Sequence, residues 1–167
     1  MMQNYLIPEC HYEQEMLFIL GYSKFEINKA SGCNGVITEI KNSYKQKTAI
    51  GWIDQDPTKQ VNRHPDYHHY KSLESKYKIH LKRKLGTNHF LIEIQDEFEV
   101  WIEPLGKAKK IAKEDFGIRN PLHEYSKVLI PKNVQNYLRE VIKVNVEPFD
   151  YIRLVIENIK GDKYPQY

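Results

Sequence analysis

The chain has 167 residues, with 25 lysines and arginines against 22 aspartates and glutamates, a net charge of +3. That balance is not polybasic, so any affinity for nucleic acid must come from a local patch. Its two cysteines, Cys10 and Cys33, are too few for a disulfide scaffold and fit a reducing cytoplasm. No apolar run approaches the roughly 18 residues of a membrane span, and MMQNYLIPEC lacks the cationic start and long apolar core of a secretory signal.

In chain order, Tyr5-Leu6-Ile7 reads as a short strand that ends at Pro8-Glu9, because proline brings no N–H to the ladder. From His11 to Leu20 the spacing of Tyr12, Met16, Ile19 and Leu20 predicts a helix that Gly21 can close. Phe25 to Asn28 reads as a second strand, followed by a loop, Ser31-Gly32-Cys33-Asn34-Gly35. Val36, Ile37, Ile40 and Tyr44 predict another helix. Ala49 to Ile53 is an unbroken apolar or small run, the pattern of a strand buried on both faces, and it runs straight into Asp54-Gln55-Asp56.

Residues 57 to 77 predict a surface loop and then a short helix. Lys78–Leu85 and Asn88–Ile94 predict two strands joined at Gly86-Thr87. A helix is expected within Asp96–Ala112, interrupted at Pro104 and Gly106, and another after Pro131 with Val134, Leu138 and Val141 on one face. A last helix carries Phe149, Ile152, Ile156 and Ile159 and ends at Gly161. The expected whole is one α/β domain, residues 1–167. It combines a partly parallel, Rossmann-like sheet over about 4–102, an antiparallel hairpin, and a helical C-terminal part over about 103–162.

In parallel sheets, groups at the carboxyl ends of strands meet in one crevice. Glu9, the Gly32–Gly35 loop and the Asp54/Asp56 pair all fall at such ends, so residues far apart in sequence are expected to converge. Carboxylates spaced as Asp54 and Asp56 suit a hard divalent cation, which takes oxygen ligands and keeps several waters. Asp-x-Asp-Pro is also ordinary turn chemistry, in which aspartates satisfy loop amides, and the pair alone supports both readings.

The ordered set Leu6-Ile7-Pro8-Glu9, Gly32-Cys33-Asn34-Gly35 and Ile53-Asp54-Gln55-Asp56 resembles the Toprim domain, shared by topoisomerases, primases and overcoming-lysogenization-defect (OLD) type nucleases. Residues 88 to 102, with Phe98-Glu99-Val100-Trp101, resemble small Toprim-like proteins of bacterial defence. Cys10 stands where the pattern has a glycine, and Pro8 where it has an aliphatic residue. The resemblance implies metal-dependent cleavage or processing of nucleic-acid phosphodiesters. In that reading Asp54 and Asp56 ligate Mg²⁺ or Mn²⁺, Glu99 is an outer ligand, and Glu9 is a general base or further ligand.

Phosphate would be gripped by Gly32, Gly35, Lys82, Arg83 and Lys84, with Lys107, Lys109, Lys110 and Lys113 as further candidates, each also readable as a solvated face. The chain carries no Gly-x-x-x-x-Gly-Lys-[Ser/Thr] loop, so an ABC-type, OLD-like ATPase would be a separate partner. Two alternatives stand beside this one. The chain could be a non-catalytic Toprim-like module docking on such an ATPase. Asp54-Gln55-Asp56-Pro57-Thr58 also resembles the first motif of haloacid-dehalogenase-type phosphatases, which implies Asp54 as nucleophile. His64, His68 and His69 read as a zinc pair, an active-site flap or plain polar surface, with Pro65 against a regular helix through them.

Overall fold

The computed structural model describes residues 5–55 and 63–164. Its element order is β1 (Leu6–Pro8), α1 (His11–Ile19), α2 (Gly32–Ser43), β2 (Ala49–Gln55), β3 (Tyr70–Lys76), β4 (Ile79–Lys84), β5 (His89–Gln95), α3 (Phe98–Ala108), α4 (Lys132–Val144) and α5 (Val146–Lys160). The five strands form one mixed sheet in the order β1-β2-β5-β4-β3. β1, β2 and β5 run parallel, while β4 and β3 are antiparallel additions beside β5. The chain is thus an α/β protein with a partly parallel sheet, an antiparallel hairpin and C-terminal helices.

Side-chain alternation along the strands builds two cores. Leu6, Ile50, Trp52, Ile79, Leu81, Phe90, Ile92 and Ile94 pack with α1, α3, α4 and α5 in the larger one. Ile7, Ala49, Ile53 and Leu91 pack with Val36 and Ile40 of α2 on the opposite face. Gly51 makes that second layer possible. A Cβ there would lie 2.6 Å from Val36 Cγ1 and 2.7 Å from Leu91 Cδ2, inside contact distance.

Phe25–Asn28 forms no strand among the described residues; its sheet contact is one isolated parallel bridge, Ile27 to Leu6. The amides of Leu6, Asn28 and Ala30 do complete ladder-like bonds to Glu26, Leu6 and Pro8 carbonyls. Pro8 has no N–H with which to extend the ladder, so the pairing stays incomplete. Gly32–Gly35 is not a loop but the first turn of α2, with Ser31 at its N-cap. After residue 62 the chain forms a 3₁₀ turn, Pro65–His69, and then β3, which replaces the expected short helix. β3 is exposed along nearly its whole length, so its sequence lacks the apolar alternation that would have marked it. α3 continues through Pro104 and Gly106. The carbonyl that Pro104 leaves without its helical donor belongs to Val100, an exposed residue. Among the described residues no helix is long and apolar enough to cross a membrane.

Candidate functional site

β1 and β2 end side by side, with Pro8 opposite Trp52 and the Glu9 N–H donating to the Trp52 carbonyl at 3.0 Å. This register sets Glu9 beside Asp54. Glu9 Oε2 accepts the Asp54 backbone N–H at 2.9 Å, a bond between residues 45 apart. Asp54 falls on the same sheet face as Ile50 and Trp52, toward α1 and α3. Its Oδ2 accepts the Phe98 N–H at 3.2 Å, at the first position of α3. Glu97, the residue at the α3 N-cap, makes no side-chain cap, so Asp54 supplies one from across the sheet.

α1 adds a carboxylate that the sequence reading did not single out. Glu13 is fully buried, and its Oε2 accepts the Cys10 N–H at 2.8 Å while Cys10 Sγ accepts the Tyr12 N–H at 3.3 Å. This capping box explains Cys10: the sulfur closes the helix end in place of the usual hydroxyl or carboxylate. The sequence signal was present as a glutamate three residues after the cap, but its cysteine cap is uncommon.

Glu13 Oε1 and Asp54 Oδ1 are both sealed from solvent and have no hydrogen-bond partner among the described residues. Buried polar atoms are nearly always satisfied, so two such oxygens in one place call for an explanation. Burial pushes the Glu13 carboxyl up to about 7, with the Glu9 charge adding to the effect. Burial, then the charges of Glu13 and Glu9, hold the Asp54 carboxyl well above the usual range, against the lowering effect of the Phe98 N–H. Glu99, half-buried in the first turn of α3, adds to the same field.

Glu9, Asp54 and Glu99 are therefore brought into one electrostatic neighbourhood, as the sequence suggested. Asp56 lies outside the described residues. The donors suit a hard cation: they are carboxylates, and two of their oxygens are buried and unsatisfied. Among the described residues no group of three or more His, Cys, Asp or Glu side chains is arranged so that it could hold a metal ion. That includes His64, His68 and His69. His64 caps the 3₁₀ turn, its ring nitrogen accepting the Asp66 N–H at 3.1 Å.

The basic run on β4 is engaged internally. Lys82 Nζ sits 2.9 Å from Glu93 Oε1 and bonds Tyr67, whose hydroxyl also bonds Glu93. Arg63 closes the same group from 3.5 Å and lies over the Tyr67 ring. Arg83 is buried on the other face and donates to the carbonyls of Thr87 and Tyr164, each at 2.9 Å. Lys84 pairs with Asp66 at 2.7 Å. Lys82 and Lys84 fasten the 63–69 segment to β4, while Arg83 ties β4 to the hairpin turn and to Tyr164, as strand alternation directs them to opposite faces. Gly32 and Gly35 sit at the amide end of α2, where Gly32 N–H reaches the Glu9 carbonyl at 3.3 Å. Lys107 and Lys113 pair with Glu103 at 3.8 and 3.1 Å. Cys10 and Cys33 form no disulfide and have separate neighbours, Cys33 meeting Arg63 at 3.6 Å.

No protein-family model matches the chain, and no curated protein or solved structure matches it significantly.

Proposed function

We propose that this is a Toprim-like protein whose Glu9–Asp54 site carries out metal-dependent cleavage or processing of nucleic-acid phosphodiesters. The observation that supports this most is the meeting of Glu9, Glu13 and Asp54 with two carboxylate oxygens buried and unpartnered. Carboxylates removed from water need protons or a cation to balance them. Asp54 and Glu9 would hold the cation, and Asp56 would join them in the proposed pattern. When bound, Mg²⁺ or Mn²⁺ supplies Lewis-acid polarisation and an activated water. Glu9 would then orient or deprotonate water at the carboxyl end of β1. Asp54, tied to α3 through the Phe98 amide, keeps the acidic group at a fixed distance from that helix.

The phosphatase reading, with Asp54 as nucleophile, needs Asp54 Oδ1 opened to solvent, as binding of a hydrated cation there also does. The non-catalytic module docking on an ATPase stays as the second reading, supported by the internal engagement of Lys82, Arg83 and Lys84. Calorimetric Mn²⁺ titration of wild type, Glu9→Gln and Asp54→Asn, with cleavage of labelled oligonucleotides, separates the two. Cation binding and cleavage lost together in both variants support the enzyme. A wild type that binds no cation and cleaves nothing removes it.

A further inference from the structure

A cleft of about 600 Å³ opens between the β3–β4 turn, α3 and the junction of α4 with α5, and none of Glu9, Glu13 or Asp54 lines it. That volume falls within the range of small-ligand sites, about 300–1,000 Å³. Three large apolar side chains that stay exposed on this protein gather there, one from each wall: Tyr77 at 36%, Val100 at 54% and Val146 at 52%. Single apolar residues scattered over a surface are ordinary, whereas their convergence from separate elements on one hollow marks a binding site. The turn itself is strained. Tyr77 and Lys78 hold φ at 55° and 61°, the left-handed region in which a two-residue hairpin prefers asparagine and glycine. Trp101 Nε1 donates to the Tyr77 carbonyl at 3.1 Å, which fixes the turn over α3 and occupies the indole's single donor.

Asn145 supplies the fixed polar point of the cleft. It is nine-tenths buried, with 9% of its surface exposed. Its Nδ2 donates to the Leu105 carbonyl at 3.2 Å and the Val141 carbonyl at 2.8 Å, and these two acceptors settle which end of the amide is nitrogen. Its Oδ1 has no hydrogen-bond partner among the described residues. An asparagine at a helix N-cap ordinarily accepts an N–H from the second or third helical residue, but the third residue of α5 is Pro148, which has none. Unlike Asp54 Oδ1, this oxygen is not sealed, so it opens on the hollow that Asn145 lines. Two exposed charges of opposite sign complete the lining, Lys109 at the end of α3 and Glu147 two residues beyond Asn145. Neither has an ion-pair partner among the described residues, whereas Lys78 is drawn to Asp96 at 3.8 Å.

We propose that this cleft binds a free amino acid with a large apolar side chain. Its ammonium would donate to Asn145 Oδ1 beside Glu147, its carboxylate would meet Lys109, and its side chain would cover Val100, Val146 and the Tyr77 ring. A simple anion would leave Asn145 without a donor and would face Glu147. A simple amine would face Lys109, and an uncharged apolar molecule would strip water from all three polar groups without replacing it. The zwitterion meets each group with its complement, which is how a site of this kind selects one ligand class over another. A peptide terminus carries only one of the two charges, so the free amino acid is the better match. None of this depends on a cation at Glu9 and Asp54.

Isothermal titration calorimetry of the full chain tests this with L-phenylalanine, L-leucine, L-alanine, N-acetyl-L-phenylalanine and L-phenylalaninamide. Phenylalanine or leucine should bind, alanine should not, and each phenylalanine analogue lacking one charge should bind about tenfold more weakly than phenylalanine. Glu147→Gln and Lys109→Ala lie at exposed positions, so both variants should fold, and each should weaken binding of the zwitterion about tenfold. Lys109→Ala should leave the affinity for phenylalaninamide as it was, and Glu147→Gln should do the same for the acetylated analogue, because each analogue already lacks the charge concerned. Absence of binding by both phenylalanine and leucine overturns the proposal. So does an acetylated or amidated analogue that binds as well as the free amino acid, or unchanged binding in both variants.

Discussion

Glu13 on α1 and Asp54 on β2 each turn one carboxylate oxygen into the interior, and neither oxygen has a hydrogen-bond partner among the described residues. The Glu13 charge also raises the cost of ionising Asp54, and Glu9 is close enough to add to both. A protein keeps like charges together in its core only at some expense to its stability, so the group should be measurable even before any activity is found.

The first consequence is in pH. The Glu13 carboxyl is about 7 when folded and 4.5 when unfolded, so the folded state binds the proton more tightly. Stability from this group is complete below pH 4.5 and is lost as pH rises through 7. Asp54 acts in the same direction. Urea titrations in chelator-treated buffer at pH 5 and pH 8 should show the protein weaker at pH 8, with added Mn²⁺ restoring part of the loss. A flat profile in the chelated protein would be inconsistent with the buried carboxylates as described.

Glu13→Gln separates charge from shape. Glutamine can still accept the Cys10 N–H at the third helical position, so the cap is retained. Without metal at pH 8 the variant should be more stable than wild type by about 1–3 kcal/mol, or several degrees in Tm. Its Mn²⁺-induced rise in Tm should shrink. Differential scanning calorimetry with and without Mn²⁺ reads both effects.

Lys82→Ala should act on stability rather than on nucleic-acid affinity. The substitution leaves the almost wholly buried Glu93 with a weakened cationic shell, which costs about 3 kcal/mol. The slope of oligonucleotide affinity against salt should stay at its wild-type value, because a lysine already paired in the sheet releases no counterion on binding. A shallower slope at unchanged stability would return Lys82 to the phosphate-binding group.

Gly51→Ala tests the contact between α2 and the sheet. The added methyl meets Val36 and Leu91 well inside contact distance, so the helix must shift, at about 1–3 kcal/mol. A drop in the urea midpoint at constant m-value is expected, and no change would mean that α2 packs less closely on β2.

Cys10 should resist thiol reagents in the folded protein. Burial pushes its thiol far up, with the Glu13 charge adding, so little thiolate exists at neutral pH. Alkylation by iodoacetamide at pH 7.5 should be slow at Cys10 natively and fast in urea, read by peptide mass spectrometry.

Local pattern decided much of this protein. Apolar periodicity located α1, β2, the β4–β5 hairpin, α4 and α5, because each buries a face whose spacing is written in neighbouring residues. The strand–helix alternation at the N-terminus also foretold that Glu9 and Asp54 would meet, since parallel strands end at a common edge. Tertiary structure decided the rest. Pro8 withholds one donor, so Phe25–Asn28 stays a single bridge rather than a strand. β3 pairs through its backbone alone, with exposed side chains that carry no pattern. Lys82 and Arg83 read as one basic run yet point to opposite faces, each to partners that only the folded sheet supplies. Glu13 looked like one more charge on a helix. Its burial against Asp54 depends on α1 and β2 packing together, a long-range contact that no local window of residues contains.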